Sequence, residues 1–187
     1  KVAQSTKIYD RTGVVLLYDI HEDIKRTVVP FTEISRHIKN ATVAIEDAEF
    51  YQHRGIRPVA ILRAVLANLF SLRFSQGGST ITQQVVKNTV LTGEKQISRK
   101  LKEWVLALKL ERVMDKESIL ALYLNESPYG GSVYGVQEAA QAYFGKKASE
   151  VTLAEAAYLA ALPNAPTYYS PYGNNREKLE ARKGLVL

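Results

Sequence analysis

The stretch "AIEDAEFYQH", residues 44–53, puts three carboxylates, Glu46, Asp47 and Glu49, into four positions, with Phe50 and His53 close behind. Continued as a helix, Glu46 lies three residues from Glu49 and four from Phe50, so the three can share a face, while Asp47 points roughly 100° further round. Glu46 borders the apolar positions Ile45 and Ala48. A carboxylate at such a border is partly shielded from water, which makes it a better proton acceptor near neutral pH. The same spacing also fits an ordinary charged helix face in solvent.

A second candidate is "GGSTITQQVVKN", residues 77–88. Two glycines permit close backbone approach, and the start of the following helix offers N–H groups and a positive dipole end to a phosphate. Ser79 and Thr80 add hydroxyls, and Lys87 and Asn88 follow two turns on. The pattern is not a P-loop, which needs Lys-Ser or Lys-Thr directly after the second glycine. A flexible loop running into a capped helix explains it equally well. The third candidate is "RKLKE", where Arg99 and Glu103 are four apart; without context this is a surface ion pair. Residues 85–116 hold eight basic and four acidic residues, a local excess of +4 that favours an anion. His21, His37 and His53 show no metal-ligand spacing, and a structural role is favoured for His53.

The elements that position these residues are mostly helices. "KIYDRTGVVLLYDI" reads as a β-hairpin turning at "DRTG", within a β-like segment that Pro30 closes. Ile34, Ile38, Ala41, Ile45 and Ala48 then form one apolar stripe, predicting a helix that ends near "YQHRGIRP". Further helices are predicted at "VAILRAVLANLF", at "TITQQVVKN" with a Thr80–Gln83 capping box, and at "ISRKLKEWVLALKLERVM" with Ile97, Leu101, Trp104, Val105 and Leu108 on one side. Three more fall at "KESILALYLN", "GVQEAAQAYFG" and "TLAEAAYLAAL", the last with a Thr152–Glu155 capping box. An extended, tyrosine-rich loop follows, marked by Pro163, Pro166 and Pro171. The fold class is mainly α with a small N-terminal β element.

Bulk properties narrow the function. The 187 residues suit one domain, and 46% hydrophobic residues supply a core. A net charge of +6 favours an anionic partner, whereas the absence of cysteine excludes disulfides, thiol catalysis and cysteine–zinc sites. Eleven tyrosines and one tryptophan lack the basic–aromatic interleaving of a nucleic-acid platform, so no nucleic acid is expected. The most apolar run, residues 59–74, has only nine uncharged residues between Arg63 and Arg73. That is too short to cross a bilayer, which takes roughly 20 residues, though long enough to lie on one. The chain begins at Lys1 and ends at "KGLVL", as expected of a domain cut from something longer.

In order, "EDAEFYQHRGI", "GGSTITQQVVKN", "RKLKE", "KESILALYLN" and "YGVQEAAQAYFGK" strongly resemble the five signature blocks of the peptidoglycan glycosyltransferase domain. That domain occurs in bifunctional class A penicillin-binding proteins and in monofunctional transglycosylases. The blocks span about residues 40–145, and "TLAEAAYLAALPNAPTYYSP" looks like the family too.

The resemblance implies a lysozyme-like helical domain of two lobes, a head and a membrane-facing jaw. It implies polymerisation of lipid II into β-1,4-linked glycan, the acceptor 4-hydroxyl attacking the lipid-pyrophosphate-linked donor with inversion. Carried over, Glu46 is the general base, and Glu103 assists departure of the pyrophosphate, directly or through a divalent ion such as Mg or Mn. Ser79, Gln83, Gln84, Lys87 and Asn88 line the donor site. Arg99 and Lys100 meet phosphate or sugar acid groups, Arg63 falls near the cleft, and Asp47, Phe50 and His53 support Glu46. Lys95 stands where members commonly have arginine, keeping the charge without bidentate recognition. No dedicated metal site and no organic cofactor are implied.

The partners implied are lipid II, the growing glycan, a membrane surface and moenomycin-type phosphoglycolipid inhibitors, at the outer, periplasmic face of a bacterial cytoplasmic membrane. "ESPYGGSVYG" departs from many members and predicts a local loop difference. "IYDRTG" looks more like the bifunctional proteins, so a membrane anchor before residue 1 and a transpeptidase domain after residue 187 are expected outside a single domain over 1–187. Two other readings stand beside this one: a lysozyme-like hydrolase of finished glycan, and a basic membrane-associated module without catalysis.

Overall fold

A computed structural model of the chain describes residues 6–14, 16–20, 25–58, 78–89 and 96–187. In chain order the elements are β1 (Thr6–Tyr9), β2 (Leu16–Ile20), β3 (Lys25–Arg26), α1 (Arg36–Glu46), α2 (Ile81–Thr89), α3 (Gln96–Val113), α4 (Lys116–Glu126), β4 (Pro128–Gly130), β5 (Val133–Tyr134), α5 (Val136–Phe144), α6 (Leu153–Ala161) and α7 (Arg176–Gly184). The class is mainly α, as the periodicities predict. The residues fall into two units, one drawn from 1–45 and 124–187 and the other from 46–123. The helix predicted at 59–70 and the glycine-containing loop to residue 77 lie outside the described residues.

In the first unit, β1 and β2 form the predicted antiparallel hairpin. Asp10 shapes its turn by accepting the N–H groups of Thr12 and Val14, each at 3.2 Å. Ser35 caps α1, its hydroxyl oxygen accepting the His37 N–H while its own proton goes to the Val151 carbonyl. The stripe is buried at Ile34, Ile38 and Ala41, but α1 stops at Glu46 instead of running on toward Gly55. The cause is tertiary and lies in the partners of Asp47, described below.

The "ESPYGGSVYG" segment, where a local loop difference is expected, supplies β4 and β5 of a small sheet ordered β3-β5-β4. β3 runs parallel to β5, and β4 antiparallel to it. Asn125 fastens the strand end with two hydrogen bonds to Val29, one to its N–H and one to its carbonyl, both 3.0 Å. α5 and α6 carry buried alanines, Ala139, Ala140, Ala156, Ala157, Ala160 and Ala161, which let backbones approach closely. α7 was not predicted. Six of the nine residues of its sequence "REKLEARKG" are charged and Leu179 is its one large apolar side chain, so no apolar period announces it. Leu179 is buried, and Arg182 donates to the Ala161 carbonyl at the end of α6 (3.1 Å).

The predicted Thr152–Glu155 capping box is present: Glu155 Oε2 accepts the Thr152 N–H and hydroxyl at 2.9 and 2.8 Å. Lys146 Nζ reaches Glu155 Oε1 at 2.7 Å. The lysine first, and the Thr152 N–H next, hold the Glu155 carboxyl down at about 2. A carboxyl depressed in the folded state stabilises above its ordinary range near 4.5, and that contribution fades as pH falls from there toward 2. In Lys146→Ala the Glu155 carboxyl is expected to titrate at least one pH unit higher by NMR, with α6 intact.

Candidate active site

The second unit holds most of the sequence-predicted site residues, and a buried carboxylate organises them. Asp47 is 2% exposed. Its Oδ2 accepts the Ile81 N–H at the start of α2 (3.1 Å) and the Nε2–H of His53 (2.8 Å). The Gly55 N–H donates to His53 Nδ1 at 3.1 Å, so the proton of a neutral imidazole sits on Nε2 and points at Asp47. Arg57 lies 3.8 Å from Asp47 Oδ1 and pairs with the exposed Glu49 at 2.9 Å. Asp47 reaches these partners only if the chain leaves the helix after Glu46. Glu46, Asp47 and Glu49 therefore do not share one helix: Glu46 ends α1, Asp47 turns inward, and Glu49 faces solvent.

The start of α2 is closed by its own chain. Gln83 N–H donates to Thr80 Oγ1 (3.1 Å) and Thr80 N–H to Gln83 Oε1 (3.3 Å), the reciprocal box the sequence predicts. Thr80 also donates its hydroxyl to the Gly55 carbonyl at 2.6 Å. The N–H groups of Thr80, Ile81 and Gln83 are thus engaged by the protein itself. Gln83, read as a donor-site residue, is 1% exposed and acts as a cap. Gln84, Lys87 and Asn88, spaced i, i+3 and i+4, share a face at the surface of α2. The Gln84 side-chain amide donates to Glu46 Oε2 at 2.9 Å.

α3 reverses the expected sides. Glu103 is 2% exposed and Ala107 fully buried, whereas Leu101, Val105 and Leu108 are 56%, 52% and 37% exposed. The pair read as a surface ion pair is an inward-facing group. Glu103 Oε2 receives Lys100 Nζ at 2.8 Å, and its Oε1 lies 3.6 Å from Arg99 Nε. Lys100 Nζ also donates to Ser79 Oγ at 2.8 Å, joining the third block to the second. A buried carboxylate is tolerated where two cations face it.

Among the described residues, no group of three or more potential metal ligands exists. Glu103 is already faced by the two cations Arg99 and Lys100, so this carboxylate does not fit a divalent ion held by the protein. Arg63 and Lys95 lie outside the described residues.

Several residues of this network were not singled out from sequence. Thr82 and Lys116 both donate to Glu111 Oε1, at 2.6 and 2.7 Å, and Lys116 Nζ sits 4.4 Å above the buried ring of Phe50. Gly55 has φ +85, and a Cβ there would come 2.8 Å from the Ala107 carbonyl oxygen. Its one signal in the sequence is a glycine closing an apolar period. The others become visible only through long-range contacts.

Residues 14–187 match the family model described as Transglycosylase. The chain belongs to the transglycosylase family. It is therefore a glycosyltransferase domain, as the five blocks imply. It is 48% identical over 184 residues to penicillin-binding protein 1A of Aquifex aeolicus (strain VF5), covering 98% of this chain and 25% of that protein. It is 43% identical over 188 residues to penicillin-binding protein 1A/1B of Bacillus subtilis (strain 168), covering 100% of this chain and 20% of that one. The chain thus spans a quarter or less of these relatives. The crystal structure of penicillin-binding protein 1A from Haemophilus influenzae is similar in fold, with TM-score 0.51 and 24% identity over 100% of this chain and 18% of the other.

Gly55→Ala in this transglycosylase domain combines a left-handed φ with a backbone clash, and about 3 kcal/mol of stability is expected to be lost in urea unfolding. Asp47→Ala strands the Ile81 N–H and the His53 proton, and about 2–3 kcal/mol is expected to be lost in the same measurement.

Proposed function

We propose that this transglycosylase domain polymerises lipid II into β-1,4-linked glycan. The observation that carries the reading is the pair of acidic groups tied to one block: Glu46 to Gln84, and Glu103 through Lys100 to Ser79. Glu46 takes the proton of the acceptor 4-hydroxyl as that oxygen attacks the donor's anomeric carbon. The bond from that carbon to the pyrophosphate oxygen breaks with inversion, and the departing pyrophosphate carries away the electron pair. Lys100 and Arg99, aimed by the buried Glu103, meet the charge that develops there, with Lys87 exposed on α2. Glu103 thus assists departure by fixing two cations.

A membrane-borne substrate fits the outer face of α3. Leu101, Val105 and Leu108 are exposed at i, i+4 and i+7, beside exposed Lys102, Lys109 and Arg112. An apolar stripe with cationic flanks suits the interface of an anionic bilayer. No helix among the described residues is long and apolar enough to cross a membrane. The stripe supports contact with a membrane surface, and the outer face of a bacterial cytoplasmic membrane, with phosphoglycolipid inhibitors of the moenomycin type, is proposed from the family resemblance.

Glu46→Gln is expected to cut polymer formation from lipid II at least a thousandfold with an unchanged circular dichroism spectrum. Lys100→Ala is expected to cut it about a hundredfold, mainly in kcat. Cleavage of finished glycan by the wild type, with no polymer from lipid II, would overturn the reading. The double variant L101E/V105E is expected to bind phosphatidylglycerol vesicles at least tenfold more weakly in sedimentation, since burial of two apolar side chains is lost.

A further inference from the structure

The unit drawn from residues 1–45 and 124–187 contains neither Glu46 nor Glu103, yet it carries a cavity of about 500 Å³. That size suits a small ligand. Tyr143 and Tyr172 both line it, their rings 25° from parallel with centroids 6.4 Å apart. Tyr143 is fixed from two sides. Its hydroxyl donates to the Tyr129 carbonyl at 2.7 Å, and the edge of Tyr158 meets its ring at 6.3 Å. Burial, with Tyr172 and Tyr158 beside it, pushes the Tyr143 hydroxyl up to about 12, so it keeps its proton. Tyr172 is different: it is 79% exposed, a large ring left in water at the edge of a cavity.

The rest of the lining mixes small hydroxylated residues with the apolar Val133, Ala142 and Pro166. The turn between β4 and β5 supplies Gly130 and Gly131, and Ser132, Thr167 and Ser170 add hydroxyls. Gly130 has φ +124, and a Cβ there would come 3.0 Å from the Tyr143 hydroxyl, whereas a Cβ on Gly131 would meet nothing within 4 Å. The chain is thus uncrowded at the exposed Gly131. No charged side chain lines the cavity among the described residues.

Aromatic faces with hydroxyl and backbone hydrogen-bonding groups, and no charge, select a neutral ring compound that has one apolar face and a hydroxylated rim. A pyranose has this shape. Pyrophosphate and the carboxylates of a stem peptide do not suit a lining without cations.

We infer that this cavity is a glycan subsite that holds a neutral N-acetylhexosamine residue stacked on Tyr172. The choice of a sugar rests on the glycosyltransferase reading above, since such a domain handles a glycan product. The subsite is separate from the Glu46–Glu103 chemistry and belongs to the unit that lacks those residues.

The test is a titration of the ¹⁵N-labelled full chain with chitotetraose, followed by NMR, in parallel with polymer formation from lipid II. Expected are shifts concentrated at Gly130, Gly131, Thr167 and Tyr172. Loss of one aromatic contact in Tyr172→Ala is expected to weaken binding about five- to tenfold, while Tyr172→Phe stays within about twofold. Tyr172 is exposed, so both variants should fold, and circular dichroism checks this. Shifts confined to residues 46–123, or equal affinity in wild type and Tyr172→Ala, would overturn the proposal. So would a neutral proline-rich decapeptide that moves the same resonances at lower concentration. Polymer from lipid II without shifts at these four residues sinks the subsite alone. Shifts there without polymer support the subsite and sink the enzymatic reading.

Discussion

The unit of residues 46–123 depends on one buried oxygen. Asp47 Oδ2 takes the Ile81 N–H and the His53 Nε2–H together, and a carboxylate that is 2% exposed needs such partners to remain inside. Satisfying it ends α1 at Glu46 and pins the start of α2 beside the segment that follows. His53 is oriented in turn by the Gly55 N–H, and the Gly55 carbonyl receives the Thr80 hydroxyl. Gly55 lies against Ala107 of α3, so one short segment touches both helices of the site. The position of Glu46, at a helix end and held by Gln84, follows from this closure.

α3 shows what such a site demands of a helix. An amphipathic helix ordinarily buries its apolar stripe. Here the residues turned inward include Glu103, with Lys100 and Arg99 against it, and the stripe of Leu101, Val105 and Leu108 faces outward. The inward ionic group is stabilised by mutual pairing and by the Lys100–Ser79 hydrogen bond. The outward apolar stripe costs nothing comparable if a bilayer covers it. The proposed polymerisation of a lipid-linked pyrophosphate would use each face.

Much of this was legible in the sequence, for reasons that stay local. The hairpin at "DRTG" depends on Asp10 and its nearest neighbours, and the boxes Thr80–Gln83 and Thr152–Glu155 close over three residues. The order of the five blocks pointed to the family that the comparison over residues 14–187 shows. The missed elements lack a local signal. α7 has almost no apolar period, and the β3-β5-β4 sheet forms from two-residue and three-residue strands more than a hundred positions apart in part.

The sequence by itself determined the helical class, the cap chemistry and the family, because periodicity, short-range hydrogen bonding and motif order are written along the chain. Only the tertiary structure decided where α1 stops, that Gln83 turns inward as a cap while Gln84 meets Glu46, and that Glu103 of α3 is buried while Leu101, Val105 and Leu108 are exposed. Periodicity reveals that a helix has two faces. Which face is covered depends on partners such as Ile81 for Asp47 and Ser79 for Lys100, tens of residues away, and on whether burial of a charge is compensated there.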